Sequence, residues 1–136
     1  MTLEKIFGIK NPVMGMVHLG DLHSPKGIDY VKDMALADAL NLHLGGLGVD
    51  GLLVENWEEA SAGPFVTNET IERMLQVIDE LKKAVPIPVG VNVLHNDYRA
   101  AFTLAKQLGL EFVQLDVYAD KARTAFTTPK AFSSML

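Results

Sequence analysis

Four short apolar runs punctuate the chain: "PVMGMVHLG" at 12–20, "GLLVENW" at 51–57, "PIPVGVNVL" at 86–94 and "LEFVQLDVY" at 110–118. Each is almost continuously apolar, the pattern of a strand buried on both faces of a parallel sheet. Pro12 suits the first position of its run, where no ladder hydrogen bond is needed. The stretches between have helical spacing. The first predicted helix covers 29–44, with Met34, Ala37, Leu40 and Leu44 as its stripe and Val31, Ala35 and Leu42 widening it. Gly45, Gly46 and Gly48 stop it. The second runs from about 68 to 84 behind a Thr67 cap, with Val66 and Ile71 as a staple. Its stripe is Ile71, Met74, Leu75, Ile78 and Leu81. The third covers about 97–108, capped by Asn96 or Asp97 and ended by Gly109, with Ala101, Leu104, Ala105 and Leu108 inward.

Strand and helix thus alternate, which predicts an α/β fold built from βα units. Four strands make half of a TIM-type (βα)8 barrel, so the expected architecture is an incomplete barrel of about four βα units. An open, doubly wound sheet is the alternative. After the first strand the text is "HLGDLHSPKG", with neither a G-x-G-x-x-G fingerprint nor a phosphate-loop lysine, which weakens nucleotide binding. No internal boundary divides the chain. Residues 1–136 read as the N-terminal part of one barrel domain, with 119–136 a divergent or poorly ordered tail. A half barrel would leave two unpaired strand edges. Either two copies close on each other, making a folded chain a homo-oligomer, or the missing half is supplied elsewhere. Truncation is the favoured explanation.

Composition narrows the partners. The chain has 136 residues, 49% apolar, with 12 Lys plus Arg against 17 Asp plus Glu. That supports one core and argues against nucleic acid, whose backbone calls for concentrated basic charge. No cysteine is present, so disulfides and thiolate chemistry are excluded from these residues. No transmembrane segment and no signal peptide are read, and a cytoplasmic setting is the default.

In both α/β architectures, ligands bind beyond the carboxyl ends of the strands. Alternation along each strand places His18, Glu55, Asn92, Gln114 and Asp116 on the inner face, while Val91, Val93, Val113, Leu115 and Val117 face the helices. Several polar groups converging at one end point to a small-molecule pocket, with a satisfied structural network as the plainer reading. His18, Glu55 and Asp116 are the candidate catalytic groups, since imidazole and carboxylate can move protons. They could also hold a divalent ion, a mixed nitrogen and oxygen set that suits zinc, iron or manganese. No other cofactor is indicated. Asn56, Asn92, Gln114, Asn96 and Asp97 are candidate substrate-binding residues, although helix capping also accounts for Asn96 and Asp97. The loop at 20–27 is long enough to cover a pocket, with a solvent-facing loop as the plainer reading. Trp57 and Phe65 either bury against helices or line the pocket mouth.

The segments "PVMGMVHLGDLHSP", "GVDGLLVENWEEASAGPF" and "VPIPVGVNVLHNDYRAAFTLAKQLGLEFVQLDVY" together resemble the BtpA family, which includes the SgcQ-type proteins. The resemblance covers roughly residues 10–120. It implies a (βα)8 barrel of about twice this length, of which this chain carries the first half. His18, Glu55, Asn56, Asn92, Asn96 and Asp97 match as signature positions rather than as proven catalysts. The resemblance implies two unlike roles and no established reaction. One is a part in sugar metabolism, which together with the polar rim points to action on a small polar metabolite such as a sugar or nucleoside derivative, by an isomerase, lyase or hydrolase chemistry. The other is an extrinsic assembly or stabilising factor for photosystem I, with peripheral membrane association. The match departs after Tyr118, where "ADKARTAFTTP" replaces the family's glycine-containing loop. An inactive fragment is the third expectation.

Overall fold

The computed structural model describes residues 2–45, 47–58 and 64–117. Four βα-type strands and four helices follow in the order α1 (Leu3–Phe7), β1 (Met14–His18), α2 (Ile28–Leu44), β2 (Gly51–Glu55), α3 (Asn68–Ala84), β3 (Val89–Asn92), α4 (Tyr98–Leu108) and β4 (Phe112–Val113). The tail expected at 119–136 lies outside the described residues, as do Gly46 and Gly63.

The strands form one sheet in the order β1-β2-β3-β4, every pair parallel. A doubly wound sheet reverses its strand order at a switch point. Here the order is sequential, and consecutive helices pack on each other, α2 on α3 and α3 on α4. The sheet is therefore wound in one direction, with its helices on one face, which is consistent with part of a TIM-like fold. The doubly wound alternative does not describe it.

Alternation sorts the two faces as the sequence predicts. Val17, Leu52, Val54, Val89, Val91 and Val93 point at the helices and are buried. Met74, Val77, Ile78 and Leu81 of α3 and Ala100, Ala101 and Leu104 of α4 meet them in a single core. Burying each of the larger side chains contributes about 2 kcal/mol. The other face carries the row Met16, Leu53, Gly90 and Phe112, and beyond it His18, Glu55 and Asn92.

The helix boundaries follow local chemistry. Thr67 accepts from the Thr70 N–H at the start of α3, and Asp97 accepts from the Ala100 N–H at the start of α4. Of the two caps expected for α4, Asp97 is the one used. Gly109 closes α4 in the left-handed region at φ 62°, which glycine reaches without a Cβ penalty.

Two features differ from the sequence reading. The stripe expected on α2 is only partly its core face: Val31 and Ala35 are buried and Leu40 and Leu42 pack against the core. Met34 is 50% and Leu44 71% exposed, and Ala37 is exposed as well. The buried ridge is Val31, Ala35 and Ala39, the first two being residues expected to widen the stripe. Small side chains let this helix approach the sheet closely: a Cβ on Gly15 of β1 would lie 3.1 Å from Leu42 Cδ1. With apolar residues around most of its circumference, α2 has two competing stripes, and periodicity alone does not rank them. The second difference is α1, a helix the sequence reading left out. It crosses the amino-terminal end of the sheet, where Phe7 meets Phe112 edge-on at 5.3 Å between centroids. A cleft of about 550 Å³ lies there, lined by Ile6, Phe7, Met14 and Phe112. Among the described residues, no helix is long and apolar enough to cross a membrane.

Candidate functional site

Strand register builds the site. His18 is paired with Glu55, and Glu55 with Asn92, so three successive strands place their last inward side chains in one row. Beyond β4 the chain continues far enough to bring Asp116 to the same row.

Asn92 is the centre of the row and is 1% exposed. Its Nδ2 donates to Glu55 Oε1 at 3.0 Å and to Asp116 Oδ1 at 3.0 Å. Both amide protons are used, and two carboxylates are held apart by one neutral donor. Glu55 Oε2 lies 3.2 Å from His18 Nε2, with the Glu55 side chain 8% and the His18 side chain 45% exposed. The His18 ring stacks on the Trp57 indole, 4.6 Å between centroids and 15° from parallel. Gln114 Nε2 reaches Asp116 Oδ1 at 3.4 Å on the exposed side. The structure thus brings together His18, Glu55, Asn92, Gln114 and Asp116.

One atom in this row is unsatisfied. Asn92 Oδ1 is buried and accepts no hydrogen bond among the described residues. A buried acceptor without a donor costs about 1–3 kcal/mol, so such an atom calls for an explanation.

The remaining expected site residues make contacts to the backbone. Asn56 is fully buried and clasps a backbone: its Nδ2 donates to Leu94 O at 3.2 Å, and its Oδ1 accepts from Leu94 N at 2.7 Å. Asn96 repeats the device one strand on. Its Nδ2 donates to Val117 O and its Oδ1 accepts from Val117 N, both at 2.9 Å. Each side-chain amide extends the parallel pairing past the strand end by imitating a backbone peptide. Asn96 takes φ 67°, a conformation asparagine tolerates better than most residues. Asp97 caps α4 through Oδ1 and also accepts from the Val66 N–H through Oδ2 at 2.9 Å. These three hold the rim in shape and are separate from the His18–Asp116 row.

The expected metal triad is not assembled. Among the described residues, no three His, Asp or Glu side chains group as metal ligands. The Asn92 amide stands between Glu55 and Asp116 and donates to an oxygen of each. The loop at 20–27 reaches the His18 end of the row, where Gly20, Asp21, Ser24 and Lys26 line a cleft of about 370 Å³ with His18. Leu22 is buried in the core, Arg73 Nη1 donates to its carbonyl at 2.9 Å, and His23 Nε2 lies 3.0 Å from Thr70 Oγ1. These contacts dock the loop on the first turns of α3. Thr70 and Arg73 were not singled out in the sequence, because their partners are 47 and 51 residues away.

Comparison with known proteins agrees with the segments that carry the resemblance. Residues 9–128 match the BtpA family. The photosystem I biogenesis protein BtpA of Synechocystis is 35% identical over 125 residues, covering 86% of this chain and 42% of that protein. An uncharacterised protein of Pyrococcus horikoshii is 32% identical over 117 residues, covering 83% of this chain and 44% of its own length. An uncharacterised protein of Archaeoglobus fulgidus is 36% identical over 111 residues, covering 79% and 44%. The chain therefore spans less than half the length of these relatives. No solved structure matches. With the match extending across all four strands, the chain belongs to the BtpA family.

Proposed function

We propose that this chain supplies four βα units of a (βα)8 barrel whose carboxyl-end rim binds a small polar metabolite. The observation that carries the reading is Asn92: a buried amide whose two protons are committed to carboxylates, which sets Glu55 and Asp116 in one row at the strand ends. Glu55 and Asp116 are both acceptors, so the row favours a donor-rich ligand such as a sugar or a nucleoside. Trp57, 56% exposed on one side and stacked on His18 on the other, offers an apolar ring face beside those acceptors. Glu55 is the group for proton transfer to or from a bound hydroxyl, with His18 as its acid–base partner.

The test is a titration followed by Trp57 emission, since this is the single tryptophan. The panel contains neutral sugars, amino sugars, nucleosides and sugar phosphates, first on the wild type and then on Glu55→Gln. Saturable binding by a polyhydroxylated ligand that Glu55→Gln weakens supports the reading. An unresponsive panel, or binding indifferent to Glu55→Gln, overturns it.

A second reading rests on the Synechocystis relative, whose name assigns it to photosystem I biogenesis. On that reading the chain assists membrane-protein assembly through a protein surface. Co-sedimentation with photosynthetic membranes supports it, and full recovery in the supernatant counts against it.

A further inference from the structure

The segment that follows His18 is pinned by two other elements. Leu19 is buried, and its N–H donates to the Glu55 carbonyl at 2.8 Å while its own carbonyl accepts from the Glu58 N–H at 3.4 Å. Three residues on, the Leu22 side chain is fully buried and its carbonyl accepts from Arg73 Nη1 of α3 at 2.9 Å. Gly20 and Asp21 span the two anchors. Beyond them the loop builds its own turns. The His23 N–H donates to Asp21 Oδ1 at 2.9 Å, the Ser24 N–H to the Asp21 carbonyl at 3.1 Å and the Lys26 N–H to Ser24 Oγ at 3.2 Å.

Arg73 is itself held in place. Its Nη2 and Nε donate to Glu69 Oε1 at 2.9 and 3.3 Å, which fixes the plane of the guanidinium and turns Nη1 towards the loop. Glu69 Oε1 also lies 3.8 Å from His23 Nδ1, and His23 Nε2 lies 3.0 Å from Thr70 Oγ1. An exposed charge pair one helical turn apart adds little stability by itself. Here the pair sets a side-chain donor against a loop carbonyl 51 residues away. Glu69, Thr70 and Arg73 do not line the cleft beside His18, whereas Asp21, Ser24 and Lys26 of the loop do. The α3 residues therefore act on that cleft through the loop.

We infer that Arg73, oriented by Glu69, is a positioning residue for the rim. It clasps the loop at 20–27 to the start of α3 in the shape that walls the cleft, and the wall limits access to the half-exposed His18 ring. Without the clasp, Leu22 still anchors the loop through its side chain, but the backbone from Gly20 to Ser24 loses its outside hydrogen bond and swings more freely over His18. The inference rests on contacts among β1, its loop and α3 and is independent of what the rim binds.

Two ligand-free measurements test it: amide hydrogen exchange, and the rate at which diethyl pyrocarbonate acylates His18, read by mass spectrometry. Arg73→Leu keeps the aliphatic stem and removes every donor. Exchange at His23 and Ser24, whose N–H groups bond within the loop, should accelerate by about tenfold. Acylation of His18 should accelerate by about threefold. Lys83→Leu is the control for a merely helix-stabilising role. It breaks a comparable pair with Asp79, 2.7 Å apart on the same helix, and should move neither readout. Glu69→Gln keeps an acceptor for Arg73 without its charge and should shift both readouts the same way by less. It replaces Arg73→Leu if that variant loses the wild-type circular dichroism. Unchanged acylation of His18 in the folded variant, or an equal change in Lys83→Leu, overturns the inference.

Discussion

Asn92 holds the Glu55 carboxylate at 3.0 Å from the neighbouring strand, and the same nitrogen holds Asp116 on the other side. One neutral side chain therefore organises two acids, one at the end of β2 and one beyond the end of β4. The pairing follows from the register, which sets Glu55 opposite Asn92. Whatever the rim binds, this amide decides where its charges stand.

Replacing Asn92 with alanine removes both hydrogen bonds and leaves a carboxylate with 8% side-chain exposure short of a donor. Hydrogen bonds to charged groups contribute about 1.5–3 kcal/mol each at most, so a loss of about 2–3 kcal/mol is expected. Asn92→Asp should be worse, because a third carboxylate then meets two others. Urea denaturation measures both. A loss below about 0.5 kcal/mol for the alanine variant would show that the amide does not organise the row.

Glu55→Gln should separate chemistry from folding. The side chain keeps its shape, and its oxygen can still accept from Asn92, so stability should change by less than about 1 kcal/mol. Binding should weaken by about tenfold or more, and any proton-transfer turnover should fall by about a hundredfold or more. Calorimetry and a progress-curve assay on the same preparation read the two. Equal turnover in the variant removes Glu55 from the mechanism.

The Asn96 clasp makes an ordered prediction. Asn96→Gly keeps a residue at ease with φ 67° but loses both bonds to Val117. Asn96→Ala loses the bonds and adds backbone strain. The expected losses are about 1–2 kcal/mol for glycine and about 1 kcal/mol more for alanine. Thermal unfolding of the two variants checks the order. A glycine variant less stable than the alanine variant would contradict this account of the position.

Gly90 is required by the Phe112 ring. A Cβ at position 90 would overlap Phe112 Cε2, Cδ2 and Cζ, so Gly90→Ala must displace the ring that also meets Phe7. Overpacking of this kind costs about 1–3 kcal/mol. Phe112→Leu in the same chain should restore part of the loss, and a double-mutant cycle gives the coupling. Additive effects would mean that the two side chains do not compete for this space.

Much of this architecture is written in the sequence. The βα alternation, the strand faces and the α3 and α4 stripes follow from periodicity of two and of 3.6, which local sterics impose wherever one side is buried. The Thr67 cap and the Gly109 stop are equally local. The convergence of His18, Glu55, Asn92 and Asp116 also follows, because parallel strands aligned at one end put equivalent inward positions in one row. Tertiary structure decided the rest. Only the packing of α2 against the Gly15 backbone ranks the Val31–Ala35–Ala39 ridge over the Met34 strip, because both have helical spacing. Only strand order separates a sequentially wound sheet from a doubly wound one. Asn56, Asn92 and Asn96 are chemically identical in the sequence. Partners 38, 37 and 21 residues away make the first and last backbone clasps and leave Asn92 between two acids. A side chain's type and face are set by its neighbours in sequence, but its hydrogen-bond partners are set by whatever the folded chain brings within about 3 Å.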